Sequence, residues 1–411
     1  MAFAFSRPGH PGRPRDLALA TASIAPASTL KALTAAYVLD RLGPHHRFQT
    51  RVIRSGDMLI LAGGGDPTLS TDDLARLATD LVAQSPRPPT RFAVWGGALP
   101  AIPRIATEQA EHLPYNPAIS GLMLNFNRVH LQWRRVGVDY QLSIEARGSS
   151  QSPRAQTISA VPGNHSTLFS YHQDGGREFW SVSRPALGKD GSRWLPVRLP
   201  ELYAADVFQT LCRARGLVLP SPEVTTHLPA GEILARLDSP PVETLIRDML
   251  RYSTNLTAEA LGLHASGAPD LASSAGRMTD WLAAGDPGRL IGTVLADHSG
   301  LSEASRISAL AMTRMLSGPC RDLGIASLLQ RNPLQIQSDA PIAAKTGTLN
   351  FVSALAGYVG DAAFAILCID PVRRASAIGK ENPAGVASWT RSARQLQAEL
   401  LQAFAADAAV T

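Results

Sequence analysis

The sequence predicts a mixed α/β fold in which one domain is interrupted by a long β-rich insertion. Three observations predict it. Helix-like and strand-like segments occupy both ends of the 411 residues, whereas the stretch from about 96 to 235 reads as short alternating strands punctuated by Gly and Pro. Three short polar motifs, around Ser28, Ser253 and Lys345, all fall outside that stretch. Ser28 and Ser253 are 225 positions apart, so a single site using both requires the chain to leave its catalytic domain and return.

Composition narrows the function classes. A hydrophobic fraction of 45% and a charged fraction of 18% are those of a globular protein with sizeable cores. The net charge of +5 suits an anionic surface or polymer. The arginines are scattered, with no basic run and no aromatic-interleaved basic patch, which argues against nucleic acid as a partner. Cys212, Cys320 and Cys368 have no zinc-ligand or disulfide-framework spacing, and no metal or cofactor is expected. No run approaches eighteen apolar residues, so no transmembrane segment is predicted.

In chain order, the first 21 residues read as irregular, with Arg7 to Arg15 rich in Pro, Gly and Arg. Residues 26–41 read as a helix: Pro26 suits a first turn, and Leu30, Leu33, Thr34 and Tyr37 form a stripe at helical period. Strands follow near 48–53 and 58–61, then a Gly63-Gly64-Gly65-Asp66-Pro67 loop without the spacing of a phosphate-binding loop. An amphipathic helix is predicted over 72–82 and a strand over 91–95. Strands at 129–133 and 140–146 and a helix at 202–215 fill the insertion. A helix at 240–249 leads into the Ser253 motif. Further helices are expected at 257–263, 278–284 and 308–316, strands at 342–344, 352–358 and 363–369, and a last helix at 387–404. Asp297-His298-Ser299 places three triad residue types side by side. Sequence neighbours rarely form a triad, so a plain turn is the reading there.

Lysine usage marks the motifs. Only Lys31, Lys189, Lys345 and Lys380 are lysine; the other 35 of the 39 basic residues are arginine. Arginine stays protonated, whereas a lysine can be tuned to act as a base. Lys189 and Lys380 sit in polar Gly-containing stretches and read as surface charge. Lys31 belongs to Ser28-Thr29-Leu30-Lys31, and Lys345 to Lys345-Thr346-Gly347-Thr348, with Ser253-Thr254-Asn255 between them. A serine hydroxyl is a weak nucleophile that needs an adjacent base. Lys31, one helical turn from Ser28, can be that base if burial and a nearby cation, for which Lys345 is the candidate, lower its pKa. Ser253 can relay a proton towards a leaving amine. Asn255 can bind a substrate carbonyl or hold Lys31. Lys345 with the Thr346 and Thr348 hydroxyls suits a substrate carboxylate, and Gly347 lets its strand approach a ligand closely. The N–H groups of Ser28 and Thr348 are the expected oxyanion hole.

The ordered motifs S-x-x-K, S-x-N and K-T-G resemble those of serine penicillin-recognising enzymes. The wider context narrows the resemblance: Pro26-Ala27-Ser28, Gly64-Gly65-Asp66-Pro67-Thr68-Leu69, Tyr115-Asn116-Pro117-Ala118, Asn125-Phe126-Asn127, Ser253-Thr254-Asn255 with Ala258-Glu259, Ser299-Gly300-Leu301-Ser302, Arg306-Ile307-Ser308 and Lys345-Thr346-Gly347-Thr348. In this order they are similar to class C low-molecular-mass penicillin-binding proteins, the D-alanyl-D-alanine carboxypeptidases/endopeptidases of DacB type. The resemblance implies a serine transpeptidase/β-lactamase-like α/β domain with β-rich accessory domains inserted between the S-x-x-K and S-x-N motifs. The expected boundaries are 1–62 and 236–411 for the catalytic domain, 63–95 and 165–235 for one accessory domain, and 96–164 for another nested in it. It implies a DD-peptidase acting on peptidoglycan peptide stems, inhibited by β-lactam antibiotics, in the periplasm or elsewhere outside the cytoplasm. A β-lactamase or esterase of the same fold and a non-catalytic wall-binding protein are the alternatives. Family members usually carry a secretory signal and a strand before the serine helix. The irregular reading of 1–21 therefore predicts a catalytic sheet lacking that strand, or a reading frame that extends upstream of Met1. His298 also stands where a small residue is common.

Overall fold

The computed structural model describes residues 1–7, 10–84, 86–284 and 286–408, with backbone only for 7, 10–16, 407 and 408. The chain divides into two compact units: residues 1–46, 106–110 and 241–411 form one, and 47–105 with 111–240 the other.

The first unit is built on a six-stranded antiparallel sheet in the order Gln330–Arg331, Ile342–Leu349, Val352–Val359, Ala362–Ile369, Ala2–Arg7, His10–Ala18. Side chains alternate across it. On one face Phe5, Leu355, Phe364 and Ile366 cluster with Leu401 and Phe404 of the Val386–Ala408 helix. The Phe5 and Phe404 rings stack 4.0 Å apart. On the other face Tyr358 donates to the Leu316 carbonyl, and Thr313 of the same Ala309–Ser317 helix donates to the Ala4 carbonyl. With both faces covered, Val352–Val359 is buried throughout, as its continuous apolar sequence requires.

The two N-terminal strands correct the sequence reading. The catalytic sheet does not lack a first strand: Ala2–Arg7 pairs with Ala362–Ile369, and His10–Ala18 pairs with Ala2–Arg7. The alternation Ala2-Phe3-Ala4-Phe5 has the two-residue period of a strand, and the Pro- and Arg-rich segment behind it hid that signal. Prolines are tolerated at His10–Ala18 because it is the last strand of the sheet, where a missing N–H breaks no inner ladder. Pro8 and Gly9, part of the stretch read as irregular, lie outside the described residues.

Also in the first unit, helices Val242–Tyr252, Asn255–Ser266 and Leu271–Ala283 surround the Lys31–Leu42 helix. Every residue from Lys31 to Val38 is buried. The expected apolar stripe is thus part of a helix covered on all sides.

The second unit holds a five-stranded mixed sheet in the order Pro222–Val224, Arg91–Trp95, Met58–Ala62, Gln49–Ser55, Glu232–Asp238, and two three-stranded sheets. Here the expected boundaries shift. Residues 49–62, assigned by sequence to the catalytic domain, pair with Arg91–Trp95 and Glu232–Asp238 instead. Val52, Leu59 and Leu61 are buried with Leu74, Phe92 and Phe208, so their apolar alternation completes this second core. Residues 106–110 belong to the first unit, where the Glu108 carboxylate accepts the Glu303 N–H at 2.6 Å.

Candidate active site

The Ser28 turn is held from several sides. Residues Ala27–Leu30 form a 3-10 turn that runs directly into the Lys31–Leu42 helix. Ala27 sits in the left-handed region at φ +47°, a conformation that costs a non-glycine residue roughly 1 kcal/mol or more. It persists because the surroundings fix it. Thr29 Oγ1 donates to the Pro26 carbonyl at 2.6 Å. Gly300, at φ +77°, packs so closely on the Ala27 carbonyl that any side chain at 300 would overlap it.

Lys31 is fully buried, and its Nζ donates to Ser28 Oγ at 2.9 Å, Asn255 Oδ1 at 2.8 Å and the Ser299 carbonyl at 2.8 Å. Burial, then the Lys345 ammonium, push its pKa down to about 7, while the Glu259 and Asp297 carboxyls pull in the opposite direction. The sequence left two uses open for Asn255; here its amide oxygen holds Lys31.

Ser253 lies between two helices. It ends Val242–Tyr252 in the left-handed conformation at φ +59°, and Asn255 begins the next helix. The reversal brings Ser253 Oγ to Lys345 Nζ at 3.0 Å. Lys345 Nζ also donates to the Thr346 carbonyl at 2.8 Å, and burial pushes its pKa down to about 8.

The K-T-G residues lie within the Ile342–Leu349 strand rather than between two strands. Lys345 and Gly347 are buried on one face, whereas Thr348, on the other, is exposed and accepts from Arg394 Nη2 at 3.3 Å. The hydroxyls of Thr346 and Thr348 therefore do not share a face with Lys345. Gln330–Arg331 pairs only with Ala343–Ala344. Beyond that point, among the described residues, no strand pairs with the outer edge of the K-T-G segment.

Ser28, Lys31, Asn255, Ser253 and Lys345 are thus linked in two hydrogen-bonded groups, with Gly347 packed against the Ser28 turn. Three contributors were missed by sequence. Ser299 supplies a carbonyl to Lys31 from the bend at His298–Gly300, where Asp297, His298 and Ser299 are all buried. Glu259 accepts the backbone N–H groups of His298 and Ser299 at 3.0 and 2.8 Å. A backbone carbonyl carries no residue-type signal, so only the Ser299-Gly300-Leu301-Ser302 match pointed to this segment. Arg394 had no signal at all. All three cysteines are buried and unpaired by disulfide, Cys320 included.

Comparison with known proteins gives the family and the fold. The profile of the D-Ala-D-Ala carboxypeptidase 3 (S13) family matches residues 19–319. A D-alanyl-D-alanine carboxypeptidase from Actinomadura sp. (strain R39) is 25% identical over 391 residues, covering 83% of this chain and 72% of that protein. The crystal structure of penicillin binding protein 4 (dacB) from Haemophilus influenzae superposes with a TM-score of 0.73 at 17% identity, covering 97% of this chain and 96% of that one. A predatory endopeptidase from Bdellovibrio bacteriovorus, in complex with an immunity protein, gives a TM-score of 0.54 at 13% identity, covering 99% and 93% of the two chains.

Proposed function

This chain belongs to the D-Ala-D-Ala carboxypeptidase 3 (S13) family, and we propose that it is a serine DD-peptidase that works through an acyl-enzyme on Ser28. The observation that carries the assignment of roles is the set of three acceptors around Lys31 Nζ. A protonated Lys31 uses its three donors on Ser28, Asn255 and Ser299. Once neutral, it keeps two donors for Asn255 and Ser299, and these aim its lone pair at Ser28 Oγ.

The Ser28 hydroxyl passes its proton to Lys31 Nζ as Oγ attacks the carbonyl of the D-Ala–D-Ala bond. The Ser28 and Thr348 N–H groups stabilise the oxyanion. Ser253 passes its proton to the leaving nitrogen and takes one from the Lys345 ammonium that donates to it, a proton that the deacylating water later returns. The C–N bond breaks, D-alanine departs, and water hydrolyses the ester. A penicillin is opened by the same attack, but its amine stays tethered to the acyl group, so the adduct persists.

The substrate strand lies along the open edge of the K-T-G segment, pairing backbone to backbone. Its terminal carboxylate sits near the Thr346 and Thr348 hydroxyls, with the Arg394 guanidinium beside Thr348, while the Lys345 charge attracts it from the other face of the strand. The natural substrate is peptidoglycan stem peptide, at a free terminus or in a cross-link. The protein therefore acts outside the cytoplasm; among its described residues no helix is long and apolar enough to cross a membrane. The second unit carries none of the motif residues and is accessory to the chemistry.

Labelling with a penicillin followed by mass spectrometry of a digest tests the assignment: the adduct is expected on the Ser28 peptide and absent in Ser28→Ala. Labelling that persists in Ser28→Ala rejects it. An adduct lost within seconds would point to a β-lactamase instead.

A further inference from the structure

The mechanism above leaves the buried carboxyl of Glu259 unused. Glu259 is fully buried on the Asn255–Ser266 helix, and its oxygens are taken by backbone N–H groups. Its two oxygens accept the N–H groups of consecutive residues, Oε2 from His298 at 3.0 Å and Oε1 from Ser299 at 2.8 Å. The flanking carbonyls of that segment point to the serine helix: His298 O accepts from Thr34 Oγ1 at 2.7 Å and Ser299 O from Lys31 Nζ at 2.8 Å. One carboxylate thus grips the peptide unit whose opposite end, the His298 carbonyl, meets Thr34, and the nitrogen of the residue whose carbonyl meets Lys31.

We propose that Glu259 is a positioning residue for the reaction, acting on Lys31 in two ways: it fixes the Ser299 carbonyl that orients the amine, and its charge sets the pH at which that amine becomes a base. The proposal rests on Lys31 being the base for Ser28. The charged groups facing Lys31 are Lys345 from the K-T-G strand, Glu259 from the neighbouring helix and Asp297 from the adjoining segment. Lys345 favours loss of the Lys31 proton; Glu259 and Asp297 favour its retention. Asp297 is occupied locally, accepting from Ser302 N at 2.8 Å, Ser305 Oγ at 2.5 Å and Ser299 Oγ at 3.2 Å. Only Glu259 also holds the amide of the residue whose carbonyl touches Lys31. Burial, and next the neighbouring Asp297, raise the Glu259 pKa to about 8; against this, both its oxygens accept backbone N–H groups, which favours the ionised carboxylate that the proposal requires.

The test is the pH dependence of penicillin acylation per titrated active site in native protein, Glu259→Gln and Glu259→Asp. Gln removes the charge, so Lys31 loses its proton more easily and the rising limb of the profile moves to lower pH by about 1 unit. Asp keeps the charge but is one methylene shorter, so the limb stays while the plateau rate falls. A purely structural carboxylate would lower the amount of folded protein without moving the limb. A Glu259→Gln limb that coincides with the native one overturns the proposal. If Glu259→Gln does not fold, Glu259→Asp carries the test: a plateau rate equal to the native one, or a displaced limb, overturns the proposal. Native protein that is not acylated at any pH would instead reject the function proposed for Ser28 and Lys31.

Discussion

Gly347 and Ser28 approach so closely that a methyl group on Gly347 would lie 2.8 Å from the Ser28 nitrogen and 3.0 Å from both Ala27 Cβ and the Pro26 carbonyl oxygen. Three neighbours from one rigid turn leave nothing flexible to move aside. Gly347→Ala should therefore push the K-T-G strand away from the nucleophile while leaving the sheet intact. Displacement of about 1 Å at a reacting centre costs on the order of 10²-fold in rate. The expected outcome is a loss of that size in penicillin acylation, with a melting temperature close to native. Native acylation in Gly347→Ala would show that the contact has no bearing on the site.

The two motif lysines should respond differently to arginine. Lys31→Arg replaces the only amine at Ser28 Oγ with a guanidinium that does not give up its proton. Removal of a general base costs roughly 10²–10⁴-fold. Lys345→Arg keeps a positive charge near Ser253 and should lose less. Stopped-flow acylation of the two variants measures the difference, and equal losses would contradict the division of roles.

Acylation should have a narrow optimum. Below about 7 Lys31 is protonated and cannot take the Ser28 proton, so the rate rises with pH through that value. Above about 8 Lys345 loses the charge that attracts a carboxylate, so the rate falls again. The two amines influence one another, so the limbs belong to the pair. A second-order rate constant still rising at pH 10 would exclude Lys345 as a required cation.

Gly262→Ala should destabilise the fold. A side chain at 262 would overlap the buried His298 ring, which stacks on Tyr37 with centroids 6.3 Å apart and hydrogen-bonds Ser274 Oγ at 2.7 Å. Overpacking of this kind costs about 1–3 kcal/mol. Urea denaturation would measure it. The same glycine explains how His298 fits where a small residue is common: the space is taken from the facing helix.

Much of this arrangement was legible in the sequence. Ser28 and Lys31 share a helix face because they are three residues apart, and the Arg91–Trp95 strand and the Val386–Ala408 helix were readable from period and composition. What escaped has physical reasons. Gln49–Ser55 and Met58–Ala62 were recognised as strands, but which sheet a strand joins depends on distant partners such as Glu232–Asp238. Ser299 contributes through its backbone, and Glu259 through two amides of another segment. Neither leaves a trace in local spacing.

The order of the catalytic sheet carries a consequence for synthesis. Ala2–Arg7 lies between Ala362–Ile369 and His10–Ala18, so one of its two partner strands emerges more than 300 residues after it. Pairings this distant close late, after the intervening chain has had time to fold. Until then Ala2–Arg7 presents a bare apolar edge open to unwanted pairing, a hazard that chaperones meet on ribosomes. Ser28 itself waits for Lys345 and Gly347. A nascent chain arrested before Lys345 should not react with penicillin, which would delay the appearance of a peptide-cleaving site until the K-T-G strand has been made.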